Sequence, residues 1–499
     1  MILKKMIYDN ISVIQYYKMS KSLILILCFI LIVEYGFKIF NVGISIDSDV
    51  ALTQLDNYQR FIGWSSQGRF GIGLLKLFSP VCNFVPYMSN LLAVTTFGYA
   101  ALAWNYVLSN YLFKIKNKCA EAVFIGLFVT CPSYAETMNF PTYNFEVTLG
   151  LLLLSFSVKH FVLFVYKQYK SDFWISCILL MFSISIYQSF IFFFMCISLM
   201  IVFSEYNRGC LLKWGVALLK IGSVSLGSYF VCNAFFHILV PESQYIESFI
   251  RWGKVSYYAI CKSIGGYIIR TLTGTLYHGG EPLIVSVLVC VTCILRSEKK
   301  VLFMILALCA SYVIHLFIFA GNIPIRSNFV ILWFISLPIC VLLRILYDKH
   351  RRLYKTIIML SVVIVLYQMS AVSHLMHGEY IKAQNDYYII QKMGYEVEAV
   401  ENEFKNTHKT KPHIAFVGSR VSTINSNLTT KGEVIGWSFF EWHEPNRLVR
   451  YMNLMGHDFL AADKNELQQA SDIAKNMSVW PSKDAMQING DLIIVKLSD

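Results

Sequence analysis

Apolar runs separated by short polar stretches fill the chain up to residue 372. A bilayer core about 30 Å thick requires roughly 20 apolar residues per helix, so these runs predict membrane-spanning helices. The run 173–203 is too long for one span and is interrupted at Tyr187-Gln188-Ser189. It predicts two short helices that meet at the outer face, or a re-entrant pair. The other predicted spans are 22–40, 88–113, 120–134, 143–166, 214–240, 282–295, 301–320, 328–347 and 356–372.

Basic residues between the runs predict the topology. Several lysines precede the first span, and the basic stretches KIKNK and DKHRRLYK follow later spans. Because cytoplasmic loops are enriched in lysine and arginine, this pattern predicts about eleven helices, with the N-terminus inside and the C-terminus outside. The first run has no small-residue cleavage site after it, which favours a retained anchor over a removed signal peptide.

The last part of the chain has a mixed helix and strand pattern, without the glycine fingerprint of a nucleotide-binding turn. The predicted elements are a polar helix over 386–408, a buried strand in HIAFVG, helices over 444–455 and 465–476, and a closing strand in DLIIVKL.

The predicted organisation has three parts. These are a cytoplasmic N-terminus (1–21), a transmembrane catalytic domain (22–373) with an outer loop (42–87), and a small α/β domain outside the membrane (374–499).

Composition supports a membrane protein. The chain has 499 residues, of which 56% are hydrophobic and 15% charged, and its mean hydropathy is +0.53. Soluble domains carry about 25% charged residues. The net charge of +12 is explained by cytoplasmic loops rather than by nucleic acid. Cys290 and Cys293 form a CxxC inside a predicted span, where small packing residues are a better interpretation than a metal or redox site.

Acidic residues follow the first predicted span. Asp47 and Asp49 form an acid-x-acid pair that suits either a general base with its supporting neighbour or a divalent cation, and both alternatives stay open. Partial desolvation at a membrane boundary raises a carboxyl pKa towards the range needed to accept a hydroxyl proton. Glu136, where another predicted span emerges, is a further catalytic candidate; the alternative is a water-facing loop acid.

Arginines on the predicted outer side are candidates for holding a phosphate. Arg60, Arg69 and Arg326 carry the planar fork that matches a phosphate, although outer arginines also extend to lipid headgroups. The remaining substrate-binding candidates are polar or aromatic groups near these arginines or within an apolar run, where lipid disfavours unpartnered hydrogen-bonding groups. They are Trp64, Gln67, Tyr187 and Gln188.

The stretch ISIDSDVALTQLDNYQRFIGWSSQGRFG resembles the first outer loop of Gtr-type bacterial and phage O-antigen glucosyltransferases, the glucosyl transferase II family. The family pattern has an Asp, an acid two residues on, a Trp and then QGRWG. The matching positions here are Asp47, Asp49, Trp64, Gln67, Gly68, Arg69 and Gly71. The sequence departs at Phe70, where the family commonly has Trp, and at Asp49, where Glu is frequent. CPSYAETMNF, IYQSF, PIRSN and the C-terminal stretch extend the similarity over nearly the whole chain.

The resemblance implies a multi-pass α-helical membrane enzyme with a GT-C-like fold in the bacterial inner membrane. The donor would be undecaprenyl-phosphate glucose, supplied on the periplasmic side by a companion flippase after a cytoplasmic donor synthase has made it. The acceptor would be lipid-linked O-antigen polysaccharide, so that the branch changes the serotype. No cofactor is required by this chemistry, although the acid pair leaves a divalent cation open.

The mechanistic hypothesis is a single displacement with inversion. Arg69, with Arg60 or Arg326, holds the lipid phosphate, and Asp47 or Asp49 removes the acceptor proton, with Asp47 preferred. The alternatives are an O-antigen polymerase and a lipid-linked saccharide flippase or other transporter. A transporter would place its charges inside the spans, whereas the charges here gather in predicted outer loops.

Overall fold

The computed structural model describes residues from 16 to 498, with gaps at 17, 19, 42, 54–56, 79–84, 114–116, 206–210, 275–298, 348–349, 408–409, 425–427, 430 and 442–443. The described residues form two compact units. The first contains the chain up to Phe40 and from Asp56 to Ser373; the second contains Asn41–Leu55 and His374–Asp499. The second unit therefore includes a short segment of the predicted outer loop 42–87.

Helices dominate the described chain, and a four-stranded sheet lies in its last part. The helices are α1 Lys21–Phe40, α2 Ser48–Thr53, α3 Asn57–Ser65, α4 Phe70–Phe78, α5 Pro86–Val107, α6 Lys118–Val129, α7 Pro132–Met138, α8 Asn144–Lys167, α9 Lys170–Ile186, α10 Phe190–Ser204, α11 Leu211–Leu239, α12 Tyr245–Phe249, α13 Tyr257–Leu272, α14 Lys299–Ile318, α15 Ile331–Tyr347, α16 Arg351–Thr407, α17 Pro445–Leu454 and α18 Lys464–Ala474. The strands are β1 His413–Val417, β2 Leu460–Ala461, β3 Met486–Asn489 and β4 Leu492–Lys496.

Six helices of the described residues are long and apolar enough to cross a membrane, namely α1, α5 with the π turn Leu108–Leu112 that extends it, α8, α11, α14 and α16. Large apolar side chains are exposed on them, such as Leu25 and Phe29 on α1 and Phe230 on α11. Exposed apolar faces of this extent are expected against lipid. The chain is therefore a helical membrane protein. The count of about eleven spans and the N-in/C-out topology stay predictions, and the predicted span 282–295 lies outside the described residues.

The core of the first unit is aromatic. The Trp104 and Trp333 rings are 5.2 Å apart, and Phe193 stacks on Trp333 at 4.4 Å. The Trp104 indole N–H donates to the carbonyl of Leu151, 3.1 Å away. These contacts join α5, α8, α10 and α15. The hydrogen bond to Leu151 also gives a partner to the indole N–H of Trp104, whose side chain is fully buried.

One predicted span is wrong. The run 120–134 is not a single helix, because α6 ends at Val129 and α7 starts at Pro132. Proline has no backbone N–H and disfavours the helical region for the residue before it, so a helix that meets Pro132 ends there and a new one begins. By contrast, the interruption predicted at Tyr187-Gln188-Ser189 is confirmed: α9 ends at Ile186 and α10 begins at Phe190.

The second unit is built on a mixed sheet with strand order β2-β1-β4-β3. β1 pairs in parallel with β2 and β4, and β3 pairs antiparallel with β4. Helices α17 and α18 and the strands β1 and β4 match predicted elements. Sequence reasoning missed β2 and β3, because they span only two and four residues, mostly exposed, and are too short to show a strand pattern in the sequence.

Helix α16 runs without interruption for 57 residues, through the predicted span 356–372 and the predicted polar helix 386–408. The prediction of two separate helices is therefore wrong. Only Gly378 weakens the sequence between them, and a single helical glycine costs about 1 kcal/mol, which tertiary packing overrides. Buried acids on this helix bind a loop of the second unit. Asp386 accepts from Ser438 Oγ at 2.6 Å and from Phe439 N at 3.0 Å.

The segment Asn41–Leu55 packs into the second unit. A Cβ placed on Gly43 would lie 2.6 Å from the Cβ of Ala383, so this backbone passes very close to α16. Ile44 packs against the main apolar cluster of the unit, and α2 contacts α17. The predicted outer loop 42–87 therefore has secondary structure of its own. It contains α2, α3 and α4, and its beginning folds with the C-terminal residues.

Candidate active site

The turn between α3 and α4 presents Arg69. Gly68 has a φ of 70°, a backbone conformation that glycine adopts without strain. The Tyr229 hydroxyl donates to the Gly68 carbonyl at 3.0 Å, and the Gln188 amide donates to the Gln67 carbonyl at 2.9 Å. A Cβ on Gly68 would lie only 2.8 Å from that hydroxyl. The side chains of Gln188 and Tyr229 therefore position the turn that carries the arginine, by binding the carbonyls of Gln67 and Gly68.

Aromatic rings surround the Arg69 guanidinium. Its central carbon lies 4.5 Å from the ring centre of Tyr187, 5.8 Å from that of Trp64 and 5.9 Å from that of Tyr245. Its Nε is buried and has no hydrogen-bond partner, and among the described residues no carboxylate pairs with this side chain. Aromatic rings thus hold the Arg69 side chain. Among the described residues, no carboxylate neutralises its charge or accepts a hydrogen bond from its Nε.

Arg326 belongs to the same cluster. Its guanidinium carbon lies 5.3 Å from the Phe140 ring, Phe140 stacks on Tyr143 at 5.1 Å, and Tyr143 meets Trp64 edge to face at 5.4 Å. Since Trp64 also borders Arg69, two guanidinium groups flank one connected set of aromatic rings. Planar donors beside aromatic faces are suited to a phosphorylated sugar.

Buried polar contacts fix the segment that carries these rings. Lys38 donates to Asn139 Oδ1 at 2.8 Å, and the Ser89 hydroxyl donates to the Pro141 carbonyl at 2.6 Å. The Asn144 amide donates to Asn90 Oδ1 at 2.8 Å. Each bond is buried, where a lost partner would leave a costly unsatisfied group. This network therefore determines where Phe140 and Tyr143 stand.

Two other predicted site residues occupy different surroundings. Glu136 lies in α7 with a fully buried side chain, so the alternative of a water-facing loop acid is wrong. Arg60 is half-buried on α3, one turn before Trp64. A further ion pair, Lys76 to Glu146 at 2.6 Å, is almost completely buried and joins α4 to α8.

The acid pair lies in the second unit, where α17 provides its partners. Both terminal nitrogens of Arg447 donate to Asp47 Oδ1 at 3.2 Å, and Arg450 Nε donates to Asp49 Oδ2 at 3.1 Å. The Asp47 side chain is 51% exposed, whereas that of Asp49 is fully buried. Glu444 accepts from Arg447 at 3.1 Å and from Arg450 at 2.7 Å, and so bridges the two arginines.

The acids of this cluster differ in their charge behaviour. Burial raises the pKa of the Asp49 carboxyl, because the loss of hydration outweighs the attraction of Arg447 and Arg450. Burial also acts on Glu444, but hydrogen bonds from Arg450 and the charges of both arginines lower the pKa of that carboxyl below its usual range. Asp47 has a φ of 73°, and such a conformation in a residue other than glycine is a strain often found at functional sites.

Sequence reasoning missed the partners of the acids. Arg447 and Arg450 lie three residues apart on a predicted helix, which places them on one face, but no sequence pattern connects that face to acids 400 residues earlier. It also missed Tyr143, Phe140 and Tyr245. The structure groups Trp64, Gln67, Arg69, Tyr187, Gln188 and Arg326 in the first unit and Asp47 with Asp49 in the second. No group of three or more potential metal ligands occurs among the described residues.

The apolar helices define a helical membrane protein. Its first unit contains a cluster of arginines and aromatic rings, and its second unit contains a cluster of acids and arginines. The family described as Glucosyl transferase GtrII matches residues 36–343, which is more than half of the chain. The chain belongs to this family, and membership indicates a glucosyltransferase. No curated protein and no solved structure matches it.

Proposed function

We propose that this chain transfers glucose from undecaprenyl-phosphate glucose to a sugar of lipid-linked O-antigen. The observation that carries the proposal is the state of Arg69, whose guanidinium is enclosed by Trp64, Tyr187 and Tyr245 without a carboxylate partner among the described residues. A half-buried arginine in such surroundings favours an anionic ligand, and a phosphate accepts its paired donors. The neighbouring rings suit the sugar attached to that phosphate.

In the proposed reaction, an acceptor hydroxyl oxygen attacks the anomeric carbon of the donor. The bond from that carbon to the phosphate oxygen breaks, and the lipid phosphate leaves with the electron pair. Arg69 and Arg326 stabilise the negative charge on the departing phosphate. One displacement from the opposite face inverts the configuration, so a β-linked donor gives an α-linked branch.

Asp47 is the proposed base, and it takes the proton from the attacking hydroxyl. Its half-exposed side chain allows access to a substrate, whereas the Asp49 side chain is fully buried. Asp49 is assigned a supporting role that keeps the acid segment folded. Glu136 is buried in α7 and is proposed to organise the first unit rather than to contact the acceptor.

The proposed setting is the bacterial inner membrane, with chemistry at the periplasmic side and about eleven spans. The chain would act after a donor synthase and a companion flippase, and it would contact membrane lipid and the O-antigen polysaccharide. Reporter fusions in the segment 42–53 and after residue 498 test this topology. A cytoplasmic reporter at either position would contradict it.

The central experiment uses purified chain in liposomes with labelled undecaprenyl-phosphate glucose and lipid-linked O-antigen. We expect labelled product with an α linkage by NMR, no transfer from a nucleotide sugar, and less transfer from the galactose analogue of the donor. Asp47→Asn is expected to lose most turnover. Full turnover by Asp47→Asn would exclude the proposed base, and transfer from the nucleotide sugar would exclude the proposed donor.

A further inference from the structure

The partners of the acid pair come from residues beyond the part of the chain that matches the family. The match ends at residue 343, whereas Arg447 and Arg450 lie on α17. Both arginines contact acids of the N-terminal segment Asn41–Leu55, which folds in the same unit. Family membership therefore says nothing of these two residues, and their role follows from the structure alone.

Arg447 is fixed from two sides. Its side chain is only 7% exposed, its Nε donates to Glu444 Oε2 at 3.1 Å, and its two terminal nitrogens share Asp47 Oδ1 at 3.2 Å. Among the described residues, Oδ2 of Asp47 receives no hydrogen bond. The arginine thus fixes one carboxylate oxygen and leaves the lone pairs of the other oxygen open to a proton.

Arg450 fixes the neighbouring acid. Its Nε donates to Asp49 Oδ2 at 3.1 Å, and its terminal nitrogen donates to Glu444 Oε1 at 2.7 Å. Arg447 Nη1 approaches the other oxygen of Asp49 at 3.8 Å. Three acids and two guanidinium groups therefore form one connected network, in which Glu444 holds both arginines at the spacing of the acid pair.

We propose that Arg447 is a positioning residue for the transfer reaction, and that Arg450 anchors the acid segment on which Arg447 acts. The inference rests on the proposed function, because it assigns the base to Asp47. Arg447 acts through that carboxylate and does not contact substrate. It keeps Oδ1 occupied and fixes the orientation of the carboxylate, so that the acceptor proton goes to Oδ2.

The first test measures steady-state kinetics of the full chain in liposomes for wild type, Arg447→Met and Arg447→Lys. Without the guanidinium, the Asp47 carboxylate loses its fixed orientation, so kcat should fall about tenfold or more while the donor KM stays unchanged. A lysine side chain would retain one charged donor but not the forked contact, so Arg447→Lys should recover only part of the lost kcat. Lys475→Met is the matched control, since it removes an exposed ion pair to Asp472 in the same unit.

The second test does not depend on transfer. Hydrogen exchange of the segment 43–53 is measured in wild type, Arg447→Met, Arg450→Met and Lys475→Met. We expect protection in wild type and in Lys475→Met, and selective loss of protection in both arginine variants. If Arg447→Met loses protection throughout the unit, the better-tolerated Arg447→Lys decides the kinetic question.

The outcomes separate the two proposals. Wild-type kcat in Arg447→Met or in Arg447→Lys would overturn the positioning role, and unchanged exchange in Arg450→Met would overturn the anchor. If wild-type chain transfers no glucose, the proposed function fails. In that case, loss of exchange protection in the arginine variants would still establish the contacts while the assigned role in transfer falls.

Discussion

The contact between α4 and α9 provides a sharp prediction at Gly71. A Cβ added to this glycine would overlap the Ser185 hydroxyl and would lie 2.9 Å from the Ser185 carbonyl carbon and 3.0 Å from the Ile186 nitrogen. Two of these three atoms belong to the backbone. A rotamer change of Ser185 therefore cannot relieve the overlap, and one of the helices must move.

The required movement follows from these distances. Two carbon atoms reach optimal separation at about 3.5 Å or more, so the 2.9 Å approach to Ser185 C implies a shift of about 0.6 Å. Overpacking of this kind costs about 1–3 kcal/mol of stability. Ser185 lies two residues before Tyr187, and Tyr187 stacks on Arg69. Because a 1 Å misplacement can cost about 100-fold in rate, a shift of about 0.6 Å predicts a loss of turnover of roughly tenfold or slightly more.

The assay compares Gly71→Ala with Gly222→Ala. Gly222 lies on α11 and has no heavy atom within 4 Å of an added Cβ, so alanine there should keep turnover and gain up to about 1 kcal/mol of helix stability. Thermal unfolding in detergent and transfer kinetics are measured for both. Adding Ser185→Ala to Gly71→Ala should recover only part of the loss, because the backbone contacts remain. Wild-type stability and turnover in Gly71→Ala, or an equal decline in Gly222→Ala, would refute the packing argument.

Three other perturbations have expected outcomes. Arg69→Gln should lower kcat/KM for the lipid-phosphate donor by about 100-fold or more. Arg69→Lys should have an intermediate kcat/KM, because lysine keeps the charge without the forked pair of donors. Equal kcat/KM values for the two variants would contradict phosphate binding by the guanidinium group. The pKa of Asp49 is raised in the folded state, so protonation of this carboxyl favours folding. As the pH is lowered from above that raised pKa towards the ordinary aspartate pKa, the stability of the wild type should increase relative to that of Asp49→Asn. A difference in thermal midpoint that does not depend on pH would contradict this. Lys76→Met should lower the free energy of unfolding by about 3–5 kcal/mol, because it leaves the buried Glu146 charge unpaired. In denaturant unfolding, the double variant with Glu146→Met should recover most of that loss. No recovery would show that the broken ion pair is not the cause.

Local patterns predicted the parts of this structure that depend on neighbours in sequence. The interruption at Tyr187 was predictable because hydrogen-bonding groups break an apolar run, and the strand His413–Val417 was predictable from a short buried run ending at glycine. Helix boundaries were harder. Pro132 divided a predicted span, whereas the lone Gly378 failed to end α16, because the cost of one glycine is small beside tertiary packing.

The site shows the same division. The turn containing Gly68 and Arg69 was recognisable from its residues, and the aromatic neighbour Trp64 lies only five residues before Arg69 in the chain. The partners of Asp47 could not be predicted, because long-range pairing depends on how the backbone folds and leaves no periodic pattern in one sequence. Arg447 on its own helix resembles any solvent-facing basic residue.

The membership of Asn41–Leu55 in the same unit as His374–Asp499 has a consequence for inheritance. Recombination that exchanges only the C-terminal part between two homologues would bring together an acid segment and an arginine helix of different ancestry. A productive chimaera needs both pieces from one parent, although more than 300 residues separate them in the gene product. Sequence drift in either piece is therefore constrained by the other, and compensating changes should appear as pairs.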